Sequence, residues 1–289
     1  MYEKLEECPV CNFTQFRNHL ICIDHSISQE SFALVQCTQC NHIFTNPRPD
    51  TGNIDKYYDS STYISHDSNR FTPQVFAYRI ARFFALRWKH SLVKSLHNRG
   101  KLLDFGSGTG HFLSFMEGKG WEVSGVEPSQ TARDNSKQKS AIYPSLSELP
   151  KIKFDIVTAW HVLEHVHDIK GVLKSLKSVT KKNGRIIVAF PNPMSEDALH
   201  YREFWAGYDV PRHLHHFTEE SFKRVCKKNK LKIEKRLPMK LDAYYVSLLS
   251  EKYLQSKNPL LRAMRMARSS NKAASKTGNF SSVIYILSK

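Results

Sequence analysis

No stretch of this 289-residue chain approaches the roughly 18 consecutive apolar residues that a membrane-spanning helix needs. The opening residues, MYEKLEECPVCNF, also lack the basic start and apolar core of a secretion signal, so the expected location is the cytoplasm. Glycine and proline are sparse, at 12 each, which excludes collagen-like and low-complexity sequences. With 40% hydrophobic residues the chain can bury a core without covalent staples. Acidic residues are scarce in one region only. Residues 221–289 hold 17 Lys+Arg against 3 Asp+Glu, whereas the first 220 hold 26 against 24. The body is near neutrality, so no stable nucleic-acid complex is expected. The basic last third can face phosphate, an anionic membrane at its periphery or an acidic substrate, or can be a solvated face.

The six cysteines are unevenly placed. Cys8 and Cys11 form one C-x2-C pair and Cys37 and Cys40 another, 25 residues apart, which is the sulfur set that Zn2+ prefers. The pattern predicts a zinc ribbon over residues 1–50 with a structural ion. A disulfide pair or a ribbon that has lost its metal are the alternatives. Strands are expected at Phe32–Gln36 and Ile43–Phe44. His42, Cys22 and Cys226 are expected to stand outside the ligand set. The first 50 residues carry three cations, Lys4, Arg17 and Arg48, against six acids, a balance that repels a phosphate backbone and favours a cap or lid over a nucleic-acid module.

Turn-forming residues at 46–52 close the ribbon and open a helical connector over 51–99. It begins with Tyr57, Tyr58 and Tyr63. From about Thr72 to His97, Phe76, Ile80, Phe83, Phe84, Trp88, Leu92 and Leu96 recur at helical steps and predict a core-facing stripe. From Lys101 strands and helices alternate, the pattern of an α/β domain with a doubly wound parallel sheet. Strands are predicted at 101–105, 121–126, 141–143, 154–160 and 185–190. After the first comes Gly106-Ser-Gly108-Thr-Gly110, a turn that brings backbone N–H groups close to a ligand. It departs from the dinucleotide pattern, because His111 stands where a further glycine would be, and Asp104 precedes it.

This DFGSGTG segment resembles the first motif of the class I S-adenosylmethionine (SAM) methyltransferases, whose domain is a Rossmann-like, seven-stranded doubly wound sheet. The resemblance continues to the end of the chain. Glu127, in Glu127-Pro128-Ser129, matches the acid that binds both ribose hydroxyls, and Leu146 the residue packed on adenine. FDIVTAWHVLEHVHD is similar to the strand-four motif, GRIIVAFPN to strand five, and residues 281–289 to the antiparallel last strand. The resemblance implies SAM as cofactor. Asp104, Gly106, Gly108, Gly110, Glu127, Pro128, Leu146 and His161 would hold it, with His161 on the methionine side and Tyr57, Tyr58 and Tyr63 either clasping its carboxylate or packing. The relatives suggested are bacterial O-methyltransferases resembling those of the ubiquinone pathway, including zinc-ribbon versions. Where these can show metal-binding groups, this chain has His161, Glu164 and His165, for which capping of the next helix is the alternative.

Residues 100–289 thus read as a methyltransferase domain with inserts at 191–217 and 239–280. The first insert gathers aromatic and ionisable residues, which predicts an acceptor pocket. Arg212 would hold an anionic group of a small-molecule acceptor, and His213 and His216 would supply the general base, since neutral imidazole accepts a proton near pH 7. O-methylation in a biosynthetic pathway is the expected activity. A ribbon-based nucleic-acid-binding protein and a SAM-binding regulator without turnover are the rival classes.

Overall fold

The computed structural model describes residues 1–58, 73–136 and 141–289. Its strands are β1 (Tyr2–Glu3), β2 (Phe16–Ile23), β3 (Ser31–Cys37), β4 (Ile43–Thr45), β5 (Arg48–Pro49), β6 (Lys101–Phe105), β7 (Glu122–Val126), β8 (Ile142–Tyr143), β9 (Phe154–Trp160), β10 (Thr180–Pro191), β11 (His215–His216), β12 (Lys232–Pro238) and β13 (Ser282–Ser288). Seven of them form one sheet in the order β12-β13-β10-β9-β6-β7-β8, so the last strand of the chain lies between β12 and β10. The chain divides into two compact units. One comprises Met1–Tyr58, His161–Lys174 and Val188–Leu287; the other comprises the described residues of 59–160 with Ser175–Ile187 and Ser288–Lys289.

In the second unit β6 pairs in parallel with β7 and β9, and β7 with β8. All seven residues of β9 are buried, which is why its sequence runs apolar without alternation. The long helix Pro73–Leu96 forms as the spacing predicts, but its inward stripe is different. Phe83, Phe84 and Trp88 are 49%, 58% and 39% exposed, while Val93 is buried and Ala85, Leu86 and Lys89 are half-buried. The helix is rotated so that small and long-stemmed residues take the inner face, and the Lys89 ammonium sits 4.5 Å from the centre of the Trp160 ring. Phe76, Ile80 and Tyr63 lie outside the residues whose side chains are described.

In the first unit β2, β3, β4 and β11 form an antiparallel sheet in the order β11-β4-β3-β2. The residues expected to belong to a loop after the fifth core strand instead supply its edge: His215 pairs with Phe44 and His216 with Ile43. The ribbon and the first insert are therefore parts of one compact unit. Asp197, fully buried, accepts from Trp205 Nε1 at 2.8 Å and from Ser270 Oγ and Ser281 Oγ at 2.6 Å, tying that insert to the helix Pro259–Thr277 and to the start of β13. The helix Glu219–Lys228 opens on the expected cap: Thr218 Oγ1 accepts from the Ser221 amide at 3.1 Å and Ser221 Oγ from the Thr218 amide at 3.0 Å. Among the described residues no helix is long and apolar enough to cross a membrane.

Candidate functional site

In the second unit, the C-terminal ends of β6 and β7 carry the groups expected to hold a cofactor. Gly106, Gly108 and Gly110 all have positive φ, at 76°, 53° and 75°, a run that other residues could adopt only at a cost. The amides of Gly106 and Ser107 both donate to the Val126 carbonyl, at 2.7 and 3.1 Å, which seats the turn against the end of β7. A Cβ on Gly108 would meet nothing within 4 Å, so space is open beside this backbone. Glu127 accepts the Gly108 amide on Oε2 and the Ser129 amide on Oε1, both at 2.9 Å. Each carboxylate oxygen keeps a second lone pair, so a carboxylate fixed by two amides can still accept from a pair of hydroxyls.

Asp104 is buried on β6, with Oδ1 accepting from Thr158 Oγ1 of β9 at 2.6 Å. Burial raises its pKa to about 7; the Thr158 bond and the Lys89 charge oppose the shift, and Glu127 adds to it. A cationic ammonium placed beside it would restore the carboxylate. Leu146, in a 3-10 turn at Leu146–Glu148, is half-buried, and Pro128 is exposed. Thr158 carried no sequence signal, because a lone threonine in an apolar strand reads as packing.

In the first unit the four sulfurs of Cys8, Cys11, Cys37 and Cys40 lie within 4.8 Å of one another, with Cys8–Cys40 at 3.6 Å and Cys11–Cys37 at 3.5 Å. The two knuckles repeat each other. The amide of Asn12 closes on the Cys8 carbonyl at 2.9 Å and that of Asn41 on the Cys37 carbonyl at 3.0 Å, and both asparagines have positive φ, 68° and 55°. Both knuckles carry the same C-x2-C-N pattern, the asparagine supplying the left-handed residue that closes the turn. Amides of Gln39 and Cys40 point at the Cys37 sulfur and that of His42 at Cys40, which favours thiolates. Without a cation they cannot all ionise: burial raises the Cys37 thiol, and the Cys8 sulfur followed by burial raises that of Cys40. The donor set fits a tetrahedral Zn2+. His42 stands apart, its Nε2 3.0 Å from His215 Nδ1.

The expected acceptor-side residues take other places. Arg212 is buried, and each of its three nitrogens donates within the first unit. Its Nε and Nη2 donate to Asp209 at 3.0 and 2.7 Å, Nη2 to Asp24 at 2.9 Å and Nη1 to the Tyr57 carbonyl at 3.0 Å, so its charge already meets two carboxylates. His216 is buried against the edge of Tyr208, with ring centroids 5.2 Å apart, and burial drives its pKa well down. His213 is buried too, with Nδ1 2.9 Å from the Gly207 carbonyl. A general base must reach the proton it removes, and these positions do not offer His213 or His216 that reach. Tyr57 packs on Phe32 and donates to Glu30 at 2.6 Å, and Tyr58 Oη is 3.0 Å from His165 Nδ1.

His161 directly follows β9 in the chain and has a left-handed backbone, φ 55°. Its Nε2 lies 3.0 Å from Asp242 and its Nδ1 3.3 Å from Glu164. Burial pushes the imidazole down, but Asp242 and then Glu164 more than offset this and raise it to about 10. Its geometry is that of an imidazolium clamp on the helix Asp242–Tyr253, a tie that spacing in the sequence could not reveal.

The sheet order, the glycine turn and the two strand-end acids define a class I methyltransferase domain, and comparison with known proteins agrees. A family model described as a methyltransferase domain matches residues 75–235, more than half of the chain. The chain belongs to this methyltransferase family. Over 111 residues it is 34% identical to a ubiquinone biosynthesis O-methyltransferase of Bradyrhizobium diazoefficiens, covering 35% of this chain and 44% of that protein. It is 33% identical over 102 residues to the mitochondrial ubiquinone biosynthesis O-methyltransferase of Schizosaccharomyces pombe, covering 31% and 37%. The chain thus spans less than half the length of these curated relatives. Among solved structures, geranyl diphosphate C-methyltransferase from Streptomyces coelicolor A3(2) superposes with a TM-score of 0.50 at 13% identity, covering 78% of this chain and 87% of that one, which is a likeness of fold.

Proposed function

We propose that the protein transfers the methyl group of SAM to an oxygen of a small-molecule acceptor in a biosynthetic pathway. The observation that carries this reading is the cradle of Asp104, the glycine turn and Glu127 at the ends of β6 and β7, which offers two acids and open backbone to a ligand with an ammonium and a ribose. Glu127 would accept the ribose hydroxyls, Asp104 the ammonium, and Leu146 would pack on the base. The sulfonium of SAM would supply an already activated methyl: the acceptor oxygen would give a lone pair to that carbon as the carbon–sulfur bond breaks, its electrons staying on the departing thioether sulfur, and the acceptor's O–H proton would leave to water or a base. The chain's own part is alignment, which can account for several kcal/mol of barrier. The curated relatives act on oxygen, which favours O-methylation here.

The four thiolates are proposed to hold one structural Zn2+, since four protein ligands leave no open position for chemistry. A thiolate set of this kind persists in a reducing compartment such as the cytoplasm. Incubation with methyl-labelled SAM and a metabolite extract tests the activity: label should pass to a small molecule with the wild type and be lost with Glu127→Ala. Binding of SAM with no transfer to any extract fraction would leave a SAM-binding protein without turnover.

A further inference from the structure

Two lysines from outside the ribbon converge on its first knuckle. Lys170 Nζ, on the helix Ile169–Val179, donates to Asn12 Oδ1 at 2.6 Å, and Lys228 Nζ, at the end of the helix Glu219–Lys228, approaches the same oxygen at 3.5 Å. Asn12 is the left-handed residue that closes the turn on Cys8, and its Nδ2 donates to Glu7 Oε2 at 2.8 Å, which fixes its oxygen toward the two ammoniums. Lys170 is half-buried, and all of these residues belong to the first unit. Two ammoniums on one amide oxygen repel each other, so the pairing calls for negative charge nearby. Burial and then the Lys228 charge hold the Lys170 pKa below its ordinary value, while Cys8, Cys11 and Asp168 act in the opposite sense. The other knuckle is served differently. Its sulfurs receive the amides of Gln39, Cys40 and His42, and its own asparagine, Asn41, donates to Glu220 Oε2 at 2.8 Å at the opposite end of the same helix.

Four thiolates around one Zn2+ leave an excess of two negative charges, and Cys8, Cys37 and Cys40 are buried. Buried charge of this kind needs compensation, and a ribbon with three cations against six acids is a poor source of it. We propose that Lys170, with Lys228 beside it, is the counter-charge of the zinc tetrathiolate and slows loss of the ion, an inference that rests on the structural zinc proposed above. The lysines are outer partners of the site and not ligands, positioned on it through Asn12. Loss of the ion would leave both ammoniums facing neutral thiols, so zinc also secures the contact of the first knuckle with these two helices.

The test follows release of zinc from the full-length protein to an excess of a colorimetric chelator, after zinc content has been measured. Lys170→Met keeps the length of the side chain and removes its charge, and should speed release by about tenfold or more, as loss of an outer partner does. Lys170→Arg should stay near the wild-type rate, Lys228→Met should show a smaller effect in the same direction as Lys170→Met, and Met at the exposed Lys182 should show none. Added salt should speed release from the wild type more than from Lys170→Met, because screening acts on charge and not on packing. Far-UV spectra check folding; where Lys170→Met does not fold, the Lys228→Met rate and the salt dependence of the wild type decide. A folded Lys170→Met that releases zinc at the wild-type rate, or faster release that Lys170→Arg shares in full, overturns the proposal and leaves the zinc reading intact. A wild type that holds no zinc overturns both.

Discussion

Asp104→Asn separates the cost of burying a carboxylate from its use in binding. The native pKa is raised from 3.8 to about 7, chiefly by burial. At about 1.4 kcal/mol per unit, holding the charged form in the fold costs about 4 kcal/mol. The sign follows from linkage: the unfolded chain loses this proton near pH 4, the folded chain only near pH 7, so stability falls as pH rises across that window and is level beyond it. Asn keeps an oxygen for Thr158 Oγ1, whose bond to Asp104 is 2.6 Å, and carries no charge. Urea unfolding of both proteins from pH 4 to pH 8 should therefore show the variant gaining about 4 kcal/mol on the wild type, whatever constant offset the extra amide donor brings. SAM should behave inversely. Its affinity for the wild type should rise with pH up to about 7 and then level, because the ammonium needs the ionised acid, while the variant binds weakly throughout. A stability difference that does not change with pH would refute the burial argument.

The other expectations each rest on one local arrangement. Glu127→Ala removes acceptors that two backbone amides already hold in place, so SAM affinity by calorimetry should fall about tenfold to a hundredfold; unchanged affinity would dissociate Glu127 from the cofactor. Metal analysis of the purified protein should find zinc, and Cys37→Ser should lower the unfolding midpoint and speed hydrogen exchange at the amides of residues 213–216, which share the ribbon sheet; a zinc-free wild type of undiminished stability would argue against a structural ion. Asp197→Ala strands three buried donors and should cost about 3 kcal/mol or more in urea unfolding, and a loss under about 1 kcal/mol would mean that they find other partners. Exposed Leu260, Leu261 and Met264 beside Arg262, Arg265 and Arg268 should bind phosphatidylserine vesicles at low ionic strength and release them in salt; no sedimentation with vesicles would leave this charge as a solubilising face.

Legibility in the sequence followed the range of the interaction. Periodicity and glycine placement are local, and they located the core strands, the turn at 106–110 and the cap at Thr218. The paired C-x2-C spacing brought out the four sulfurs for the same reason, as each knuckle closes within five residues. Pairings across the chain left no such mark. Arg212 looked available to an anion because nothing near it in sequence except Asp209 could neutralise it, yet Asp24, 188 residues away, takes one of its bonds. The spacing in the sequence places the histidines at 213 and 216 in a loop above a sheet, and it is the pairing of β11 with β4 that encloses them. The exposed aromatics of the Pro73–Leu96 helix show the same limit, since periodicity finds a stripe but not which of two stripes faces inward.

That enclosure gives the ribbon a role beyond capping. Thr45, at the end of β4, donates its hydroxyl to the His213 carbonyl at 2.8 Å and its amide to that of Leu214 at 3.1 Å, while the amides of Leu214 and His215 reach the Glu164 carbonyl. Residues 213–216 are thus stitched on one side to the strand that follows the second cysteine knuckle and on the other to the segment bearing Glu164 and His165. β4 is only three residues long, and a strand so short is held by what fixes its start, here Cys37 and Cys40. The cysteine site therefore sets the backbone from which His213 projects, and the Gly207 carbonyl, 2.9 Å from His213 Nδ1, then orients its ring. A metal with no open position would in this way govern the geometry of the buried carboxylate and imidazoles, although its sulfurs belong to a different cluster of the same unit.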